Sequence, residues 1–302
     1  MKLKFLPIHL ILSNSRKKSR KKSPYIGEEF LVPRDTLKPV KVYLYKPDND
    51  VEDKLPVMIN VHGGAWVAGD GVSLDMQSKA MANRLSAFVV SVEYKLADEK
   101  AFPYPQQEIV DTVLFFAENS ERYNIDPKRI SLIGYSAGGH LCAGAAIMLK
   151  NIGFELNSQI LCYPFLDFVN FRLSDYANGD RRAPILQKLI DSLFFTDSKK
   201  EDAVNSPAVA SDEELKGVAP CEIIACATDV LLSHAQAYYK RLVENGISVN
   251  LKIYEEAQHG FLEVNYPDTA PSDIKTPEQE RIMKECEEYI ADRVRKHWGN
   301  MS

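Results

Sequence analysis

The chain has 302 residues, 45% of them hydrophobic, and a formal net charge of −5. That is enough for one large core, and no apolar run reaches the length of a bilayer-spanning helix. Residues 1–22 carry eight Lys/Arg and no acid, which leaves 29 basic against 42 acidic residues in the rest, a balance that argues against nucleic acid as a substrate.

The N-terminal segment is compositionally distinct. Lys2 and Lys4 precede an apolar octet, Phe5–Leu12, and a basic block follows at 16–22. A secretory signal would place a small-residue cleavage site where that second block stands. The segment, taken as residues 1–26, reads first as an arm or cap over a site mouth. Its second reading is a membrane-surface anchor, disfavoured because the octet is short and contains Pro7 and His9.

From Gly27 a globular pattern begins, and residues 27–302 read as one domain. Glu28–Val32 and Val40–Lys46 alternate like half-exposed strands, whereas Leu55–His62 and Phe88–Tyr94 read as buried strands. Ser73–Leu85 and Tyr104–Asn119 have helical periodicity, and Asp126-Pro127 reads as a turn into the next strand. Ser158–Tyr163, Glu222–Ala227 and Val249–Tyr254 are further strands; Ser233–Asn245 and Glu278–Trp298 are helices. Strands alternating with helices predict an α/β fold with a mainly parallel sheet covered on both faces. About fifty residues, 165–215, interrupt the rhythm, with apolar, helix-capable Ile185–Phe195 inside. An insertion that long is expected to form a small helical cap.

The run from Arg129 to Gly139 carries the chemistry. Apolar Ile130, Leu132 and Ile133 lead into Gly134-Tyr135-Ser136-Ala137-Gly138, and a small-residue helix follows. Strand, G-x-S-x-G and helix is the context of a nucleophile elbow, a turn so sharp that Gly134 and Gly138 are needed to relieve crowding around the serine. A serine hydroxyl needs a base, and the base needs an orienting acid. Of six histidines, His259 lies in a loop after the last core strand, where it can reach Ser136. Asp229 follows the strand ending at Ala227, giving the order Ser136, Asp229, His259; Asp167 is the runner-up acid. His62-Gly63-Gly64-Ala65-Trp66 follows a buried strand, where N–H groups of Gly63 and Gly64 are expected to join that of Ala137 around an oxyanion. The five cysteines, Cys142, Cys162, Cys221, Cys226 and Cys286, read as buried free thiols in a reducing compartment, and their spacing suggests no metal site. A cytoplasmic location follows as the expectation.

With these motifs the chain resembles α/β-hydrolases of the hormone-sensitive-lipase-like esterase family. The likeness runs through His62–Trp66, Tyr94–Glu99 with Phe102-Pro103, Gly134–Gly139, Ser206-Pro207, Thr228–Leu231 and His259–Phe261, within residues 40–295. It implies hydrolysis of short-chain acyl esters, acetyl among them, through an acyl-enzyme, with no cofactor and a cap from the N-terminus and the 165–215 insertion. Tyr135 and Ala65 depart from the family pattern, which often has Asp and Gly there; this is similar to acetyl- and feruloyl-type esterases acting on decorated sugars. Trp66, Tyr135 and Phe165, with Phe168 and Phe171, are expected to crowd the substrate pocket. Lower-ranked readings are a peptidase or amidase and a non-catalytic ligand-binding member of the fold. A small-molecule ester is the expected partner, and a homo-oligomer is compatible with the sequence.

Overall fold

Eight strands form one sheet: β1 (Glu28–Val32), β2 (Val40–Tyr45), β3 (Leu55–Val61), β4 (Phe88–Glu93), β5 (Ile125–Tyr135), β6 (Ser158–Cys162), β7 (Cys221–Cys226) and β8 (Val249–Tyr254). The computed structural model describes residues 13–14, 16, 23–49, 53–172, 174 and 183–299. The strand order is β1-β2-β4-β3-β5-β6-β7-β8. The β1–β2 and β2–β4 pairs are antiparallel, and every pair from β4 to β8 is parallel. The central strands β3, β6 and β7 are buried along their whole length, as strands of a parallel sheet covered on both faces are.

Among the described residues, six longer helices accompany the sheet: α1 (Asp75–Leu85), α2 (Tyr104–Glu118), α3 (Ala137–Asn151), α4 (Ala183–Phe194), α5 (Leu232–Glu244) and α6 (Pro277–Gly299). Side chains of successive strand residues go to opposite faces, so the core divides into two. On one face Ile59, Leu132 and Leu161 pack with Val113 of α2, Leu141 of α3 and Tyr238 of α5. On the other, Met58, Ile133 and Ile160 pack with Met81 of α1 and Ile290 of α6.

The predicted turn at Asp126-Pro127 lies inside β5. Leu55 pairs with Ile125 and Val57 with Ile130, so residues 126–129 bulge out of the ladder. Asp126 holds that bulge by accepting the Lys128 N–H at 3.0 Å and Arg129 Nε at 2.7 Å. The charged helix α6 is fastened by Glu222 on β7, 1% exposed, which accepts from Arg293 Nε at 3.0 Å, His297 Nε2 at 2.8 Å and Asn250 Nδ2 at 3.0 Å. All five cysteines are buried free thiols.

At the N-terminal side, buried Asp75 accepts the N–H groups of Ile26 and Gly27 and the Tyr45 hydroxyl, tying the start of the body to α1. The apolar octet and most of the basic block lie outside the described residues. Arg16 is described: its guanidinium contacts both carboxylate oxygens of Asp98, at 2.9 and 3.0 Å, and the Val67 carbonyl at 3.0 Å. The insertion contains α4, whose Phe194 carbonyl accepts the Phe102 N–H at 2.9 Å. Among the described residues, no helix is long and apolar enough to cross a membrane, and no cluster of His, Cys, Asp or Glu is arranged to hold a metal.

Candidate active site

Ser136 stands between the end of β5 and the first residue of α3, with φ 51° and ψ −112°. For a residue with a Cβ that is strained backbone, held here by its surroundings. The Ser136 N–H donates to the Cys162 carbonyl at 2.8 Å, and its carbonyl accepts the His140 N–H at 3.2 Å. The turn presses α3 onto the neighbouring strand: a Cβ at Gly138 would lie 2.1 Å from the Val61 carbonyl oxygen. Only glycine fits that approach.

Parallel strands place the loops after β7 and β8 at the same carboxyl edge as Ser136. His259 Nε2 lies 2.9 Å from Ser136 Oγ, and His259 Nδ1 lies 2.5 Å from Asp229 Oδ2. The Asp229 side chain is 4% exposed, that of His259 41%. Asp229 is itself oriented by the Leu231 N–H, which donates to Oδ1 at 2.9 Å. Asp167 is occupied within its own turn, accepting from Val169 N–H at 2.8 Å, Asn170 N–H at 2.9 Å and Asn170 Nδ2 at 2.7 Å.

The loop after β3 is pinned peptide by peptide. The His62 carbonyl accepts the Tyr94 hydroxyl at 3.0 Å, and the Gly63 N–H of the same peptide donates to Glu263 Oε1 at 3.0 Å. His62 Nδ1–H donates to the Gly63 carbonyl at 2.7 Å, and burial lowers the His62 pKa to about 4, keeping the ring neutral. In a trans peptide the N–H points opposite to the C=O. The Gly64 N–H therefore faces away from His62. The Gly63 N–H, expected at the oxyanion, is instead committed to a carboxylate. Neither Gly64 N–H nor Ala137 N–H has a hydrogen-bond partner among the described residues.

Phe165, whose N–H donates to the Ser136 carbonyl at 3.4 Å, and Trp66 are buried, at 6% and 7% exposure, with rings 5.0 Å apart and perpendicular. Phe165 also packs on Phe168 at 4.4 Å, Phe171 at 4.9 Å and His234 at 4.7 Å. The Trp66 indole N–H donates to His140 Nδ1 at 3.0 Å, so His140 carries its proton on Nε2 and gives it to the Asn205 carbonyl at 2.9 Å. Burial lowers the His140 pKa to about 4, consistent with that neutral role. Tyr135 corrects the sequence expectation: it does not line the cleft. It shares a face with Ile133, two residues earlier on β5, and is buried against Met81, Leu262 and Ile290.

Two residues near Ser136 and His259 were not anticipated. Tyr163, just past β6, has φ 40° and places its ring 5.0 Å from that of His259. Glu263 lies on the short helical turn Phe261–Val264 that follows His259. Neither belongs to a recognisable motif, and spacing in the sequence gives no sign of either contact.

A family model of the α/β-hydrolase fold matches residues 58–263. The chain belongs to the α/β-hydrolase family, in its hormone-sensitive-lipase-like branch. This α/β-hydrolase is 30% identical to the carboxylesterase NlhH of Mycobacterium tuberculosis, over 81% of its own length and 77% of the relative's. It is 27% identical to arylacetamide deacetylase of Bos taurus, over 79% and 76% of the two chains. A solved fungal esterase of Rhizomucor miehei superposes with a TM-score of 0.78 at 24% identity, covering 96% of this α/β-hydrolase and 90% of that chain. A thermostable esterase from Pseudomonas putida superposes at 0.77, also at 24% identity, covering 96% and 89%.

Proposed function

We propose that this α/β-hydrolase is a serine carboxylesterase for short-chain acyl esters, with Ser136, His259 and Asp229 as its catalytic triad. The observation that carries the reading is the unbroken contact chain from Ser136 Oγ through His259 to Asp229, at 2.9 and 2.5 Å, on a strained elbow. The relatives named as a carboxylesterase and a deacetylase support acyl transfer to water.

In this reading Ser136 Oγ attacks the acyl carbonyl while its proton passes to His259 Nε2. Asp229, already on Nδ1, stabilises the imidazolium and fixes its tautomer. The oxyanion is received by the N–H groups of Ala137 and Gly64, each such donor typically contributing about 3 kcal/mol to barrier lowering. The N-terminus of α3 points at the same spot and favours negative charge there. His259 returns the proton to the leaving alcohol. Water, deprotonated by His259, then releases the acyl group from Ser136.

Short acyl groups are favoured because Trp66, Phe165, Phe168 and Phe171 form a packed aromatic block next to the serine. The test is labelling with a fluorophosphonate, combined with hydrolysis of an aryl acetate. Stoichiometric modification of Ser136 with loss of hydrolysis is expected. An unmodified Ser136 in a folded protein would leave the ligand-binding reading standing.

A further inference from the structure

The Glu263 carboxylate touches the loop after β3 at Gly63. Oε1 accepts the Gly63 N–H at 3.0 Å, and Oε2 accepts from the Tyr163 hydroxyl at 3.5 Å. The approach is close enough that a Cβ at Gly63 would lie 2.8 Å from Oε1. The partners are 200 positions apart in the chain, so this bond joins the loop that follows β3 to the loop that carries His259.

We infer that Glu263 is a positioning residue for the oxyanion hole: by holding the Gly63 N–H it fixes the His62–Gly63 peptide and so aims the Gly64 N–H at the oxyanion. This rests on the serine-esterase reading above. The peptide is clamped at both ends, with Tyr94 on its carbonyl and Glu263 on its N–H. Removing either clamp frees the peptide to rotate, and the next N–H rotates with it. The transition state depends on that N–H more than the ground state does, so the loss belongs in kcat rather than KM.

The charge state of Glu263 gives the role a signature. Burial raises its pKa to about 6, partly offset by the Gly63 N–H, His259 and the Tyr163 hydroxyl. The other titratable groups facing it are Tyr94, Tyr135, Tyr163 and Cys162, all pushed up by burial and neutral throughout the working range. A protonated carboxyl accepts the Gly63 N–H only as well as an amide does, whereas the carboxylate accepts it more strongly.

The experiment compares wild type, Glu263→Gln and Glu263→Ala for kcat and KM on an activated acetyl ester between pH 5 and 9, with thermal unfolding as a fold check. Glu263→Ala is expected to lose on the order of 10–100-fold in kcat with KM little changed. Glu263→Gln should recover most of that loss, because its amide oxygen still accepts the N–H. The ratio of wild-type to Glu263→Gln kcat removes any pH effect common to both enzymes, and it should fall toward one as pH drops through about 6. If Glu263→Ala does not fold, the ratio for Glu263→Gln decides. A flat ratio, or a folded Glu263→Ala with wild-type kcat, overturns the inference. Ser136→Ala in the same series separates the two levels: a fully active Ser136→Ala removes the esterase reading, and an inactive one alongside a fully active Glu263→Ala removes only this inference.

Discussion

Asp229 meets His259 at 2.5 Å, whereas Asp167, the runner-up acid, gives its oxygens to Val169 and Asn170 and has no hydrogen-bonded histidine partner among the described residues. Ser136→Ala and His259→Ala are each expected to lower kcat on the order of 10⁴-fold or more, with the double variant little worse. Asp229→Asn should lose less, and Asp167→Asn should stay within a few-fold of wild type. Steady-state kinetics on one ester checks all five variants. A dead Asp167→Asn beside an active Asp229→Asn would exchange the roles of the two acids.

Acyl length follows from the aromatic block. Each methylene that fits contributes roughly 0.8 kcal/mol, about fourfold in kcat/KM, whereas one that does not fit meets about 1–3 kcal/mol of overpacking. Acetyl to butyryl esters should be best, with little activity at about ten carbons. Phe165, between Trp66, Phe168 and Phe171, is the ring whose loss makes room. Phe165→Ala is expected to move the optimum to longer chains. A chain-length series that is unchanged in Phe165→Ala, or a wild type that prefers decanoate, would refute the shallow-pocket account.

The Arg16–Asp98 pair joins the N-terminal segment to the loop after β4, with side-chain exposures of 18% and 1%. Asp98→Asn keeps the shape and removes the charge that holds the guanidinium. Limited proteolysis should then cut ahead of Pro24 markedly faster, while the core resists. Equal cleavage rates would mean that the pair does not hold the arm.

Acid sensitivity is expected at α6. Hydrogen bonds from His297 and Arg293 hold the Glu222 carboxyl below the usual carboxylate range against the opposing effect of burial. A carboxyl with a depressed folded pKa stabilises fully above its unfolded value, about 4.3, and that contribution disappears as pH falls through the lower folded value. Glu222→Gln should cost on the order of 2 kcal/mol at pH 7, less than a fully buried pair because Arg293 reaches water. The Tm difference between wild type and variant should shrink between pH 5 and 3. A difference that grows on acidification would contradict the sign.

The elbow was legible because crowding at Ser136 leaves glycine as the only residue that fits at Gly138, and that demand is written locally. His259 and Asp229 were legible because parallel strands deliver their following loops to one edge. Tyr135 was misplaced although the rule that places it is simple: two residues after Ile133 on a strand, it must share that residue's face. Glu263 was not legible, because a side chain bonded to a backbone N–H 200 positions away imposes no residue type on its partner beyond a glycine already explained otherwise. The bulge at residues 126–129 was hidden for the opposite reason, since Asp-Pro reads as a turn whether it lies before a strand or within one.

The five enclosed thiols make the folded molecule chemically silent to alkylating reagents. Cys142, Cys162, Cys221, Cys226 and Cys286 occupy α3, β6, both ends of β7 and α6, and burial raises each pKa, so none offers a thiolate at neutral pH. Modification has to wait for the sheet to open. The rate at which iodoacetamide consumes each thiol is therefore a native clock of local opening, one that distinguishes fraying of α6 from rupture of the central strands without any introduced label.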